Sequence, residues 1–249
     1  MESFATRKCW PASDGSDLQK VTEILADYYQ PMKQLFLIPF LVLSSGPAYA
    51  ERATALDMSE FSGTISVEFH PMQAAGVLGG CTLVYKLAQQ DFVYRNGTLI
   101  SIGGNIAYFT NRNQDMIGLS LKIGTVDSLS KTAKPEAPFY AYIQTPHGTT
   151  AKSKMLSTAS DTEGAKIFVY DFDEGSMAVL KDILDGQLIT IGFNRHKDGM
   201  DVLSNLDLHV ADSTVASDGS IKRHRTDAAL EKFAICAHDL TTQVQKHNK

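Results

Sequence analysis

The sequence predicts a mainly β protein, an antiparallel β-sandwich or barrel with a C-terminal α-helix packed against it (α+β at the margin). Three observations carry that expectation. About nine or ten short runs rich in Val, Ile, Tyr, Phe and Thr follow one another from residue 61 to residue 210, separated by Gly, Pro, Asn and Asp clusters. One of those separators is Asn96-Gly97, a residue pair that supplies the positive φ angles a tight hairpin turn needs. The last segment then changes period. Leu230, Phe233, Ala237, Leu240 and Val244 recur every three or four positions, which is the apolar stripe of a helix over 227–243.

Along the chain, residues 61–69 alternate polar and apolar, which puts Ile65, Val67 and Phe69 on one face. A strand over 81–87 follows the Gly79-Gly80 break. Runs 92–95 and 98–102 form the arms of the Asn96-Gly97 hairpin. Gly103-Gly104-Asn105 is expected to end the second arm before a new strand at 106–110. Ile117, Leu119, Leu121 and Ile123 alternate within 116–123. Strands are expected at 139–144 and 166–172, with the polar stretch 149–164 as a surface loop between them. Segments 187–193 and 200–210 read as a hairpin around 194–199. A short helix is expected over 176–185, with Ser176 as N-cap and Gly186 just past its end. Thr226 is expected to cap the terminal helix, and Asp227 suits the positive end of its dipole.

The N-terminal part has a different character. Met32-Lys33 is followed by the apolar run Leu35-Phe36-Leu37-Ile38-Pro39-Phe40-Leu41-Val42-Leu43, and then by Ala48-Tyr49-Ala50. A basic start, an apolar centre and small residues at the cut are the pattern of a secretory leader. The expectation is a leader over 32–50, with Ala48 and Ala50 at the cleavage site, and a single β-rich globular domain over 51–249. Residues 1–31 are expected to be an upstream extension outside the native product, with Met32 as the start. An apolar run this short falls well below the roughly 20 residues a membrane-spanning helix needs, so no transmembrane anchor is expected. Asp17 to Gln30 also reads as a short amphipathic helix, with Leu18, Val21, Leu25 and Tyr28 near one face.

Composition narrows the function classes. The chain has 249 residues, 43% hydrophobic and 20% charged, with a formal net charge of −5. That is a folded protein without the basic face of a nucleic-acid binder. The one basic cluster, Lys222-Arg223-His224-Arg225, is expected in a loop. Cys81 and Cys236 form an even pair in a chain read as exported, so a disulfide between them is expected.

The sequence contains no GxGxxG, P-loop, HExxH or GxSxG pattern. No cofactor and no catalytic residue is therefore assigned. His70, His147, His196, His209, His224 and His238 are scattered singly. Asp171-Phe172-Asp173-Glu174-Gly175 opens like a calcium loop, which makes Asp171 and Asp173 the metal candidates, but the rest of that loop is missing. The polar tip 194–199 carries the binding candidates Arg195, His196 and Asp198, since contact residues concentrate on loops. Tyr85, Tyr94, Tyr108, Tyr140, Tyr142 and Tyr170 fall in strand-like runs. Alternate ones would line a groove for sugar or peptide, although packing is the commoner use.

The leading functional expectation is an exported protein, periplasmic or secreted, that binds a protein or glycan partner without catalysis. The alternatives are a hydrolase whose site is assembled from isolated His, Asp and Glu residues, and a small-ligand carrier with an apolar interior.

Overall fold

A computed structural model describes residues 61–74, 76–111, 116–127, 135–218 and 220–248. The leader expected over 32–50, the cleavage residues Ala48 and Ala50 assigned to it, and the segment 1–31 lie outside the described residues.

Eleven strands and two helices are described. They are β1 Gly63–Ala74, β2 Val77–Asp91, β3 Thr98–Thr110, β4 Ile117–Asp127, β5 Tyr140–Gln144, β6 Met155–Ala159, β7 Ala165–Tyr170, α1 Glu174–Leu184, β8 Ile189–Asn194, β9 Val202–Leu206, β10 Val210–Val215, β11 Ile221–Arg225 and α2 Ala228–His247. A six-stranded sheet runs in the order β1-β2-β3-β4-β7-β6, a three-stranded sheet in the order β5-β8-β9, and β10 pairs with β11. Every pairing between strands is antiparallel. The mainly β, antiparallel architecture with a C-terminal helix packed on the sheet is as the sequence predicts.

Period-two alternation builds the core. Leu83, Tyr85 and Leu87 on β2 face Ile106, Gly104 and Ile102 on β3. Ile106 in turn faces Leu121 on β4, and Leu121 faces Phe168 on β7. These side chains form one cluster with Ile143, Ile189, Ile191 and Phe193 of the second sheet, Val179 and Ile183 of α1, and Phe233, Cys236 and Leu240 of α2. Burying each large apolar side chain contributes roughly 1.5–3 kcal/mol. The interior is filled by Tyr85, Tyr170, Phe168, Phe193 and Phe233, all fully buried. The stripe predicted on α2 is the stripe that packs: Leu230, Phe233, Ala237, Leu240 and Val244 are its buried positions, together with Cys236. The Cys81 and Cys236 sulfurs lie 2.12 Å apart, with Cα atoms 5.8 Å apart. The link therefore ties α2 to the second strand of the large sheet.

Several local readings change. Residues 92–95 are not a strand arm. β2 ends at Asp91, and the six residues before β3 form a loop in which Asn96 and Gly97 both have positive φ. β3 runs unbroken through Gly103-Gly104-Asn105. Gly104 marks a close approach: a Cβ there would stand 1.8 Å from the Lys122 carbonyl oxygen, which accepts a hydrogen bond from the Tyr85 hydroxyl at 3.1 Å. The stretch 149–164 contains edge strand β6, whose polar residues hid it. The basic cluster is β11, not a loop. Arg223 donates to the Ser62 and Thr64 carbonyls, and Ser213 on β10 donates to the Ile65 carbonyl, so this hairpin latches onto the edge of β1.

Candidate functional site

The loop after β2 and the loop after β8 meet at one end of the molecule. Asp91 begins the first. It is 0% exposed, and its Oδ1 accepts from the Val93 and Tyr94 N–H groups at 3.0 and 2.8 Å. Its backbone carbonyl accepts from the Arg95 and Gly97 N–H groups. One buried residue thus sets the course of the whole turn, which is the local reason the chain leaves the strand here.

Arg195 begins the second loop. Its guanidinium reaches Asp91 Oδ2 at 3.4 Å and also pairs with Glu136. Glu136 is bridged to Thr125 at the end of β4 and accepts from Arg95 at 2.6 Å. Two arginines and two carboxylates therefore clamp β2, β4 and β8 together. Tyr94 joins the loops above the clamp. Its hydroxyl donates to the Met200 carbonyl, its ring meets His196 edge-on at 5.5 Å, and the Arg195 guanidinium lies 6.0 Å from its centroid. Gly199 has to be small here, because a Cβ would come within 2.4 Å of the Tyr94 hydroxyl. Gln89 adds a bond to the Leu203 carbonyl at 2.9 Å.

On this rigid frame the two loops hold apolar side chains out in water. Phe92 is 73% exposed and Met200 75%, with Val93 and Leu203 also exposed. Phe92, Val93 and Met200 on the loops, with Leu203 on the adjoining β9, are apolar side chains open to contact from outside.

The predicted binding candidates separate into two roles. Arg195 is nearly buried and holds the frame, while His196 and Asp198 are exposed on the rim. Asp198 adopts a φ of 60°, which fits the turn signal of Asp198-Gly199. Phe92, Met200, Asp91, Glu136 and Arg95 were not singled out by sequence. Phe92 and Met200 read as strand residues, and nothing local marks a partner more than forty residues away.

Of the metal candidates, Asp173 is the N-cap of α1, accepting from the Ser176 N–H at 2.9 Å and from the Ser153 hydroxyl at 3.0 Å. Asp171 stands just before it, and burial pushes its carboxyl up. Among the described residues no group of three or more His, Cys, Asp or Glu side chains is placed to hold a metal. The tyrosines do not line one groove. Tyr85 and Tyr170 are buried in the core, Tyr94 is in the loop, and Tyr140 and Tyr142 lie side by side on β5. Burial and the neighbouring Asp201, which accepts from its hydroxyl at 3.0 Å, push the Tyr142 phenol up to about 12.

One histidine has a buried carboxylate behind it. Asp182 of α1 accepts from the His147 backbone N–H at 2.9 Å and from His147 Nδ1 at 2.8 Å. Burial raises the Asp182 carboxyl, but bonds from Thr145 and His147 outweigh it and leave the group below the usual carboxylate range. Among the described residues, no serine, threonine or cysteine side chain is hydrogen-bonded to the exposed Nε2. The pair ties the Thr145-Pro146-His147-Gly148 turn onto α1.

Comparison of the chain with protein-family models, with curated proteins and with solved structures returned no match. No described helix is long and apolar enough to cross a membrane.

Proposed function

We propose that this protein is an exported, non-catalytic binding protein of the cell envelope or extracellular space. In this reading it contacts a protein partner through the rim formed by residues 92–97 and 195–201. The observation that carries the proposal is the exposure of Phe92 and Met200 on loops fixed by the buried Asp91–Arg195 pair. Aromatic and methionine side chains held out by a rigid base make contact area available without an ordering cost on binding. The leader pattern at 32–50 and the Cys81–Cys236 link both suit an oxidising compartment.

The test is photo-crosslinking from positions 92 and 200 in the native host. The proposal expects one discrete adduct from both positions, lost when Arg195→Ala loosens the loops, and no adduct from Lys232 on the exposed face of α2. A hydrolytic activity that co-purifies with the protein and disappears in His147→Ala would overturn it in favour of an enzyme built on the His147–Asp182 pair.

A further inference from the structure

Two guanidinium groups meet on one carboxylate at the base of the rim. Arg95 Nη2 donates to Glu136 Oε1 at 2.6 Å, and Arg195 Nη1 donates to Glu136 Oε2. Arg195 also reaches Asp91 Oδ2, but at 3.4 Å that contact is long for a hydrogen bond between charged groups. Glu136 is therefore the closest charge partner of both arginines. The Arg195 side chain is 9% exposed and its guanidinium lies beside the Tyr94 ring, so salt and water screen it little.

The two carboxylates are held in different ways. Asp91 is fully buried, and its other oxygen accepts from the Val93 and Tyr94 N–H groups, so it cannot leave without undoing the turn. Glu136 is fixed by its backbone, through the paired hydrogen bonds of the bridge to Thr125. Its side chain is 47% exposed. Rotation of that side chain into water would leave two guanidiniums facing the single carboxylate of Asp91, a net positive site below the exposed Phe92 and Met200.

Neither arginine uses its full set of donors. A guanidinium presents its N–H groups as a planar fork, which fits a carboxylate with two parallel bonds. Glu136 takes only one bond from each. The Nε of Arg95 and the Nε of Arg195 are buried with no hydrogen-bond partner among the described residues. Buried donors are nearly always paired, so the two orphans point to a ligand group that Glu136 replaces incompletely. A carboxylate set on the Nε edge of either guanidinium would make the paired bonds that Glu136 does not.

We propose that Arg95 and Arg195 form a carboxylate-binding site, that Glu136 occupies it in the free protein as an internal competitor, and that the partner at the rim displaces Glu136 with an acidic side chain or a C-terminal carboxylate. The partner's part rests on the rim reading above, whereas the site itself does not. Phe92 belongs to the same turn as Arg95, and its ring lies against Gly97, where a Cβ would come within 2.8 Å of it. The ligand chemistry that fits is a carboxylate carried beside an apolar group.

The test follows the arginine Nε–H signals by NMR as acetate or phenylacetate replaces chloride at constant ionic strength, with Cys81 and Cys236 joined. The Arg95 and Arg195 signals should shift saturably, with phenylacetate binding more tightly. In Glu136→Ala the apparent Kd should fall by at least about tenfold, because a tethered carboxylate competes at high effective concentration. An absence of saturable shifts, or an unchanged Kd in Glu136→Ala, overturns the proposal. If that variant loses its fold, Arg95→Gln decides the matter: it should abolish the Arg195 shift, and an unaltered shift overturns the proposal. Two short peptides separate the sources of the carboxylate. One ends in phenylalanine with a free C-terminus, and the other carries glutamate beside phenylalanine with an amidated end. The tighter binder names the group, and binding of neither to a site that takes phenylacetate overturns the partner's part. Loss of the crosslinks from positions 92 and 200 would remove the rim reading while leaving the acetate titrations intact, so the two failures are distinguishable.

Discussion

The guanidinium of Arg195 reaches the carboxylate of Asp91 across 104 residues of sequence, and that contact joins the loop after β8 of the small sheet to the loop after β2 of the large one. Asp91 is fully buried, so the pair is maintained without water on the carboxylate side. Removing Asp91 leaves the nearly buried Arg195 with only the half-exposed Glu136 as a charge partner. Asp91→Ala also leaves the Val93 and Tyr94 N–H groups without an acceptor. It should lower unfolding free energy by about 3–5 kcal/mol, measured by urea denaturation. A loss under about 1 kcal/mol would mean that the clamp does not organise the rim.

The rim residues should behave in the opposite way. Phe92→Ser with Met200→Ser removes exposed apolar surface, so stability should change by no more than about 0.5 kcal/mol. Crosslinking or capture of the partner should fall by at least about tenfold, the range of a truncated contact anchor. A stability loss comparable to that of Asp91→Ala would show that these side chains are packing groups.

His209 makes the fold sensitive to pH. Its Nδ1 lies 2.6 Å from Asp227 Oδ1 and its Nε2 lies 3.0 Å from the Gly186 carbonyl, so both ring nitrogens face acceptors. Asp227 precedes α2 but makes no side-chain cap to it, its carboxylate being turned to the histidine instead. The hydrogen bond that the ring donates to the Asp227 carboxylate is the main reason the imidazole pKa is raised. Partial burial works against it, while the Gly186 carbonyl and the charges of Asp227 and Asp207 add to it. A raised folded-state pKa gives stability that is fully present below the unfolded value near 6.5 and is lost as pH rises through the folded value. The urea midpoint should therefore fall from mildly acidic to alkaline pH in the natural protein, and that slope should flatten in His209→Gln. The change should be modest, because the pair is partly solvated.

Gly104 tests the close approach of β3 to β4. Gly104→Ala puts a methyl group where the Lys122 carbonyl oxygen stands and displaces the Tyr85 hydroxyl that donates to it. The expected cost is about 3 kcal/mol by urea denaturation, with exchange protection of the β3 and β4 amides reduced.

Gly103-Gly104 also shows where sequence reading runs out. A glycine pair signals a break when only neighbours along the chain are considered. Here Gly104 serves a side chain from β2 and a carbonyl from β4, neither of which is local. β6 and β11 were hidden for a related reason: both are polar edge strands, with no buried face to produce alternation. By contrast, α2 and the strands 116–123 and 187–193 were legible, because their apolar spacing is set by the face they bury. Cys81 and Cys236 were legible by count, as the one pair of cysteines in 51–249. The rim was half legible. The turn chemistry of Asp198-Gly199 and the polar run 194–199 pointed to Arg195, His196 and Asp198. Asp91 and Glu136 could not be found, because pairing across 104 and 59 residues leaves no local pattern.

The most direct measurement is the intact mass and N-terminal residue of the native protein in cytoplasmic, envelope and medium fractions, with and without reductant. The account predicts a chain beginning at Glu51 outside the cytoplasm, two hydrogens lighter before reduction because Cys81 and Cys236 are joined. A chain beginning at Met1 in the cytoplasm, with both thiols free, would contradict it.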